Sequence, residues 1–247
     1  MEDTLALIAR NTNVTIHRHS AVQVVMSLDD PYPATLGTQC FPAVTGFVID
    51  SNIPHACESA SCSVLVVSID AFSHLGMCLR REILRGEAFR LFEDSACAGL
   101  ASVAGEMRKT FSQTGTVDYR LLLSSVPSHG QPPGQDIDPR VKRVAEKLRR
   151  SFLQPAPMHV FADQVGLSQR RLRQLFQAQI GTSIRRFILW LRIRTAMRLI
   201  SEGHELSEAA HCGGFSDQAH LTRVFKQMFG VSPAALRANA KFLAVFL

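Results

Sequence analysis

At 247 residues and 46% hydrophobic composition, the chain is long enough for one large or two modest cores. No run approaches the roughly 18 apolar residues of a membrane span, and Met1-Glu-Asp-Thr lacks the basic start and apolar core of a secretion signal. Six cysteines without such a signal fit reduced thiols, so the expected location is cytoplasmic, with no membrane partner. The formal net charge of +6 hides an asymmetry. Residues 1–138 hold 9 Lys/Arg against 15 Asp/Glu, whereas residues 139–247 hold 18 against 6. Only the C-terminal half suits a polyanion, and its binding should be steeply salt-dependent through counterion release.

In chain order, the first seventy residues read as strands. The runs 5–8, 14–16, 22–25, 46–49 and 62–67 are short, β-branched and bounded by turn residues. Such a succession predicts a small antiparallel barrel. Helical periodicity follows around 71–84, 96–111 and 119–126. The apolar faces of the second and third helices suit either subunit pairing or covering of the barrel, and pairing is the slightly favoured reading.

Polar positions interrupt the strand region. His17 and His19 are two apart, so on a strand they share a face; Gln23 follows, and His55 comes later beside Pro54. Three imidazoles and an oxygen donor are a ligand set for Zn, Fe, Cu or Ni. They equally suit hydrogen bonding to an organic effector, or a purely structural role. Cys57 and Cys62, with His55 nearby, lack a recognised zinc spacing, and buried inert thiols are the better reading. Cys40, Cys78, Cys97 and Cys212 show no paired spacing.

Residues 127–138, rich in proline, glycine and polar side chains, read as an exposed linker. Helical periodicity returns at Val141, Val144, Ala145 and Leu148. Two helix–turn–helix units then follow. In the first, a helix ends at Gly166, Ser168 offers an N-cap oxygen, and Leu172, Leu175 and Phe176 form an inward face. That leaves Gln169, Arg170, Arg173 and Gln174 outward. In the second, Gly213 and Gly214 break the first helix, Ser216 is the expected cap, and Leu221, Val224 and Phe225 face inward. Asp217, Gln218, His220, Arg223 and Lys226 are left outward. Arg forks onto a guanine edge and Gln onto an adenine edge, so both faces carry base-reading chemistry for double-stranded DNA, with Ser168 at the entry of the first. The plainer reading, two solvated helix faces, loses ground because the plan occurs twice.

Between the units, 182–200 predicts a long helix with two apolar stripes, roughly 28 Å in length, a rigid spacer for two recognition helices. Its arginines, Arg185, Arg186, Arg192, Arg194 and Arg198, suit phosphate contacts for some of their number and equally a solubilising face or ion pairs.

These residues carry a resemblance. The segment from about Asp138 to Arg237 resembles the DNA-binding domain of AraC/XylS-type transcription regulators. The matching pieces are Val165-Gly-Leu-Ser-Gln-Arg-Arg-Leu172, Phe176, Gly181-Thr-Ser183, Arg192, Ala196, Leu199, Gly214-Phe-Ser-Asp-Gln-Ala-His-Leu221, Phe225-Lys226 and Phe229-Gly-Val-Ser-Pro233 through Arg237. Departures are Phe161 for a usual Leu, Cys212-Gly213 for a commoner Ala pair, and His220-Leu221 where Ser-Phe or Tyr-Phe is frequent. The resemblance implies a cupin-like, effector-binding N-terminal barrel with dimerisation helices over 1–126, a linker over 127–138, a DNA-binding domain over 139–239 and an apolar tail over 240–247. It also implies a homodimer, RNA polymerase as a partner, and activation. The set His17, His19, Gln23 and His55 resembles a cupin metal set with Gln for the usual Glu, although the flanking cupin glycines are absent or displaced.

No Gly-x-Ser-x-Gly, Walker loop or His-Glu-x-x-His occurs, and no catalytic residue is assigned. The reading is an α+β, non-enzymatic DNA-binding regulator whose barrel senses a small molecule or a divalent metal. Three alternatives stay open: a metal-dependent cupin enzyme with a DNA-binding tail, an alkyl-accepting repair coregulator, and a signal-independent regulator whose barrel only dimerises.

Overall fold

The structure, a computed structural model, describes residues 4–127 and 137–245. The chain divides into two compact units, Met1–Pro132 with Phe225–Leu247, and Pro133–Val224.

The first unit is built on two long antiparallel strands, β1 (Thr4–His17) and β6 (His55–Asp70). Their register runs from Thr4 opposite Ile69 to His17 opposite His55, with shifts between Arg10 and Thr12 and between Val14 and His17. The other edge of β6 is shared. Its C-terminal half pairs with β2 (Ala21–Ser27), and its N-terminal end pairs with β3 (Tyr32–Leu36). β3 continues to β4 (Gln39–Val44); β2 continues to β5 (Gly46–Ile49) and then β7 (Phe89–Leu91). The far edge of β1 receives β8 (Ala240–Val245), from the opposite end of the chain. The antiparallel β architecture is thus present as an eight-stranded branched sheet, but among the described residues its pairings do not close into a barrel.

Period-two alternation sorts β2 onto two buried layers. Val22, Val24 and Met26 pack with Leu65, Val67 and Ile69 beneath a helical layer; Val25 joins Tyr32, Phe47 and Ile49 on the other side. Gln23, on the same side as Val25, is a polar group in an apolar interior. The helical layer comprises α1 (His74–Cys78), which runs on into π-helical turns over Leu79–Leu84, then α2 (Ala98–Thr114) and α3 (Tyr119–Ser124). Leu100, Ala104 and Met107 of α2 and Leu122 and Leu123 of α3 pack into the sheet's own core. The preference for these faces as subunit-pairing surfaces is therefore corrected: their apolar stripes cover the sheet.

The second unit contains α4 (Pro139–Ser151), α5 (Met158–Gln164), α6 (Gln169–Ile180), α7 (Ile184–Ser201), α8 (Leu206–Cys212) and the first part of α9 (Gln218–Phe229). Asp138 caps α4 by accepting the Arg140 N–H, and Pro139 supplies a first-turn residue with no N–H to satisfy. Helix α7 is apolar on both sides, burying Phe187, Trp190, Leu191, Ile193, Met197 and Ile200, because α4, α6 and α8 all pack against it. At 18 residues it is about 27 Å long. After α9, α10 (Pro233–Asn239) is capped by Ser232 and leads into β8.

Candidate nucleic-acid interface and histidine pocket

Both turns that precede α6 and α9 are settled by local chemistry. Gly166 sits at φ +64°, the left-handed conformation that ends α5, and the Ser168 hydroxyl accepts the Arg171 N–H at 3.2 Å to start α6. Leu172, Phe176 and Ile180 are buried; Gln169, Arg170, Arg173 and Gln174 are all exposed. Leu175, expected inward, is half-buried. Arg173 donates to Gln169 Oε1 at 3.3 Å, one helical turn away, which aligns two base-reading side chains on one face.

The second unit departs from expectation at its cap. Helix α9 begins at Gln218, so the capping position belongs to Asp217, whose Oδ1 accepts the His220 N–H at 2.6 Å. Ser216, the expected cap, instead donates to Asp217 Oδ2 at 3.1 Å. His220 is half-buried, with its ring edge-on to Phe215 and Nδ1 3.2 Å from the Ser216 hydroxyl. Gln218, Arg223 and Lys226 remain exposed with Asp217. The His220 amide, then the Ser216 hydroxyl, hold the Asp217 carboxyl below its usual range. That stabilisation is present at neutral pH and is lost as pH falls through the lowered folded value. Asp217→Ala should fray the first turn of α9, and Asp217→Asn should preserve it, read as amide exchange at His220; equal protection in both variants would remove the cap assignment.

Among the α7 arginines, Arg192 points to the carbonyls of Phe152 and Leu153 at 3.4 and 3.2 Å, closing the end of α4. Arg198 pairs with Glu202 at 3.3 Å. Both therefore have intramolecular work, and Arg185 is exposed.

In the sheet unit, His17, His19 and His55 are all buried and converge. Their ring centroids are 4.1 Å apart for His17 and His55, 5.0 Å for His19 and His55, and 5.6 Å for His17 and His19. The Nδ1 atoms of His17 and His55 each lie 2.9 Å from a backbone carbonyl, those of Thr15 and Ile53. His55 Nε2 lies 3.1 Å from Gln23 Oε1, and Gln23 Nε2 donates to Ser68 Oγ at 2.9 Å. Burial, reinforced by neighbouring imidazoles, lowers His17 to about 3 and His19 well below the ordinary value; burial lowers His55 as well. The three rings are neutral at physiological pH.

His17, Gln23, His55 and Ser68 border an apolar cavity of about 70 Å³, walled by Leu5, Leu7, Val14, Val25, Val66, Phe229 and Val231 among others. The sequence expectations brought together all four polar groups. They missed Ser68, the two carbonyls, and the wall contributed by residues beyond 228, which no local spacing reveals. Cys57 borders the same cavity, but burial pushes its thiol up to about 12, so it is no ready thiolate. All six cysteines are free thiols.

Residues 161–239 match the family described as a helix-turn-helix domain. The chain is 32% identical over 103 residues to the HTH-type transcriptional regulator GlxA of Rhizobium meliloti, covering 41% of this chain and 32% of that protein. It is 36% identical over 91 residues to the HTH-type transcriptional activator RhaR of Pectobacterium atrosepticum, covering 36% of this chain and 32% of that one. The chain thus spans about a third of the length of these curated relatives. In fold, it is similar to ToxT of Vibrio cholerae, with a TM-score of 0.62 at 12% identity, over 96% of this chain and 98% of that one. A ToxT structure described as bound to an unsaturated fatty acid gives a TM-score of 0.61 at 14% identity, over 96% and 95%.

The C-terminal segment is a helix–turn–helix DNA-binding domain. Over that segment the chain is similar to the helix-turn-helix parts of the regulators GlxA and RhaR.

Proposed function

We propose that this protein is a sequence-specific transcription regulator, an activator, that reads double-stranded DNA with α6 and α9. The observation that carries this reading is the repeated plan inside residues 161–239: a capped helix with a buried apolar face and an exposed Gln/Arg face, twice. Gln169, Arg170, Arg173, Gln174, Gln218 and Arg223 are assigned to base edges, with Ser168 and Lys226 at the phosphates. Asp217 and His220 support the geometry of α9 at its cap. RNA polymerase is the assigned partner, and the active form is a homodimer whose contact surface lies outside the apolar faces of α2 and α3.

The domain reading is 1–126 for sensing, 127–138 for the linker, 139–239 for DNA binding and 240–247 for the tail. The sensing part is a cupin-like sheet whose apolar cavity, with His55 and Gln23 at its polar end, takes a small apolar molecule bearing a hydrogen-bonding head. Among the described residues no helix is long and apolar enough to cross a membrane. We assign the protein to the cytoplasm.

The test is selection of a binding site from random duplexes, followed by titration of cognate and random DNA at several salt concentrations. Arg173→Ala and Arg223→Ala should each cost roughly 1–3 kcal/mol on the cognate site and relax base preference at one position. Equal losses on cognate and random DNA would reassign that arginine to a phosphate. If selection enriches no sequence, the base-reading assignment fails as a whole.

A further inference from the structure

The histidine cluster has a proton arrangement that decides what it can bind. The carbonyls of Thr15 and Ile53 can only accept, so the Nδ1 atoms 2.9 Å from them must donate, and the ring proton of both His17 and His55 sits on Nδ1. Each ring then carries its lone pair on Nε2; the His17 ring also hydrogen-bonds the backbone of His55, and His19 the Gln23 side chain. An imidazole that gives its Nδ1–H to a backbone carbonyl and offers Nε2 as donor is the usual supported metal ligand.

One ligand atom from each of His17, His19 and His55 lies within 4.8 Å of the others. That is wider than the roughly 3.4 Å between nitrogens around a tetrahedral ion with metal–nitrogen bonds of about 2.0–2.1 Å, so binding requires the rings to draw in around the ion. The Gln23 side chain adds the remaining observation. As placed, its Oε1 faces the His55 Nε2 lone pair at 3.1 Å while its Nε2 donates to Ser68. Two acceptors face each other there. A cation between them resolves the conflict, with the amide oxygen as a further ligand; a turned-over amide, donating to His55 and accepting from Ser68, resolves it without one.

We propose that His17, His19 and His55 form a binding site for one divalent transition-metal ion, with Gln23 as an oxygen donor beside it. Neutral imidazoles select first-row metals such as zinc, cobalt, nickel or copper over calcium and magnesium. The set carries no negative charge, so the ion's charge is left for an anionic group entering from the adjoining cavity. This deepens the sensor half of the proposed function. Its test involves no DNA, so the two can fail separately.

The probe is cobalt(II), with zinc(II) as competitor, added to the metal-stripped full-length protein. Expected is one equivalent of cobalt with the visible absorption of a low-coordinate nitrogen-ligated ion, displaced by zinc. His19→Gln and His55→Gln, which keep most of the buried volume, should each weaken binding roughly 10-fold or more. His159→Gln and His211→Gln, at exposed positions outside the cluster, should leave it unchanged. Gln23→Glu places an anionic oxygen beside the ion and should tighten binding by at least about 10-fold. This gain of affinity keeps the proposal testable even if a histidine variant fails to fold. Absence of the cobalt spectrum at one equivalent, or equal affinity in wild type and His55→Gln, would overturn the site. The turned-over Gln23 amide would then describe the pocket.

Discussion

Trp190→Ala is expected to lower the stability of the helical unit by about 3–5 kcal/mol, the range for emptying a large aromatic site. Trp190 is 2% exposed and lies mid-way along α7, the helix against which α4, α6 and α8 pack. Phe187, one turn earlier, meets Phe176 of α6 edge-on at 5.5 Å, so the same helix that holds Trp190 also fixes the first reading helix. A void beside α7 is not filled cheaply, because both of its sides are committed. Trp190 is the sole tryptophan, so its fluorescence disappears with the mutation. Amide exchange along α7 and α6 is the appropriate readout, and it avoids treating two compact units as one cooperative transition. Trp190→Phe should retain most of the stability. A loss below about 1 kcal/mol for Trp190→Ala would mean that α7 is not the packing centre of the unit.

The helical unit was legible because its signals are local. Gly166, Ser168 and the spacing of Leu172 and Phe176 lie within eleven residues, and the turn, cap and buried face they specify need no distant partner. Even there, the cap of α9 moved from Ser216 to Asp217, since both are good capping residues in adjacent positions and backbone geometry chooses between them. In the sheet unit, the apolar cores of β1, β2, β5 and β6 showed themselves by their β-branched runs. Strands β3 and β4 did not, because Pro33 and Pro42 argue against a central strand; both sit toward the sheet's edge, where proline is tolerated. The register shift between Arg10 and Thr12 divided β1 into two apparent strands, and the polar start of β6 hid the part before Cys62 from a hydrophobic scan.

The candidate site shows the same division. His17, His19, Gln23 and His55 were visible as residue types at telling spacings. Their supports were not: Ser68 lies 45 residues from Gln23, and the anchoring groups at Thr15 and Ile53 are backbone carbonyls that any side chain would provide. The tail is legible in the sequence only as an apolar run past the DNA-binding segment, open to packing on its own domain, on the N-terminal half or on a partner subunit. Its described part, β8, pairs with Leu5–Ala9 of β1, a contact specified by backbone hydrogen bonds across almost the full chain length.

Gly230→Ala tests that junction, with an expected cost of about 2–5 kcal/mol from two sources. Gly230 has φ +67°, where an L side chain is strained, and a Cβ there would lie 2.2 Å from Thr15 O, 2.8 Å from Val14 Cγ1 and 2.9 Å from His17 Nδ1. The nearest obstruction is backbone within a paired strand, so it cannot rotate away. The Gly230 carbonyl also accepts from Thr15 N at 3.1 Å and from Thr15 Oγ1 at 2.8 Å, so backing the turn off would sacrifice both bonds. Gly203→Ala supplies the control, since Gly203 has φ +93° but nothing within 4 Å of its would-be Cβ; it isolates the conformational cost from the clash. Faster amide exchange at Thr15 and along Ala240–Val245 in Gly230→Ala, well beyond that in Gly203→Ala, is the expected result. Equal exchange in the two variants would show that the segment after α9 is held on β1 by strand pairing with β8 rather than by the close approach at Gly230.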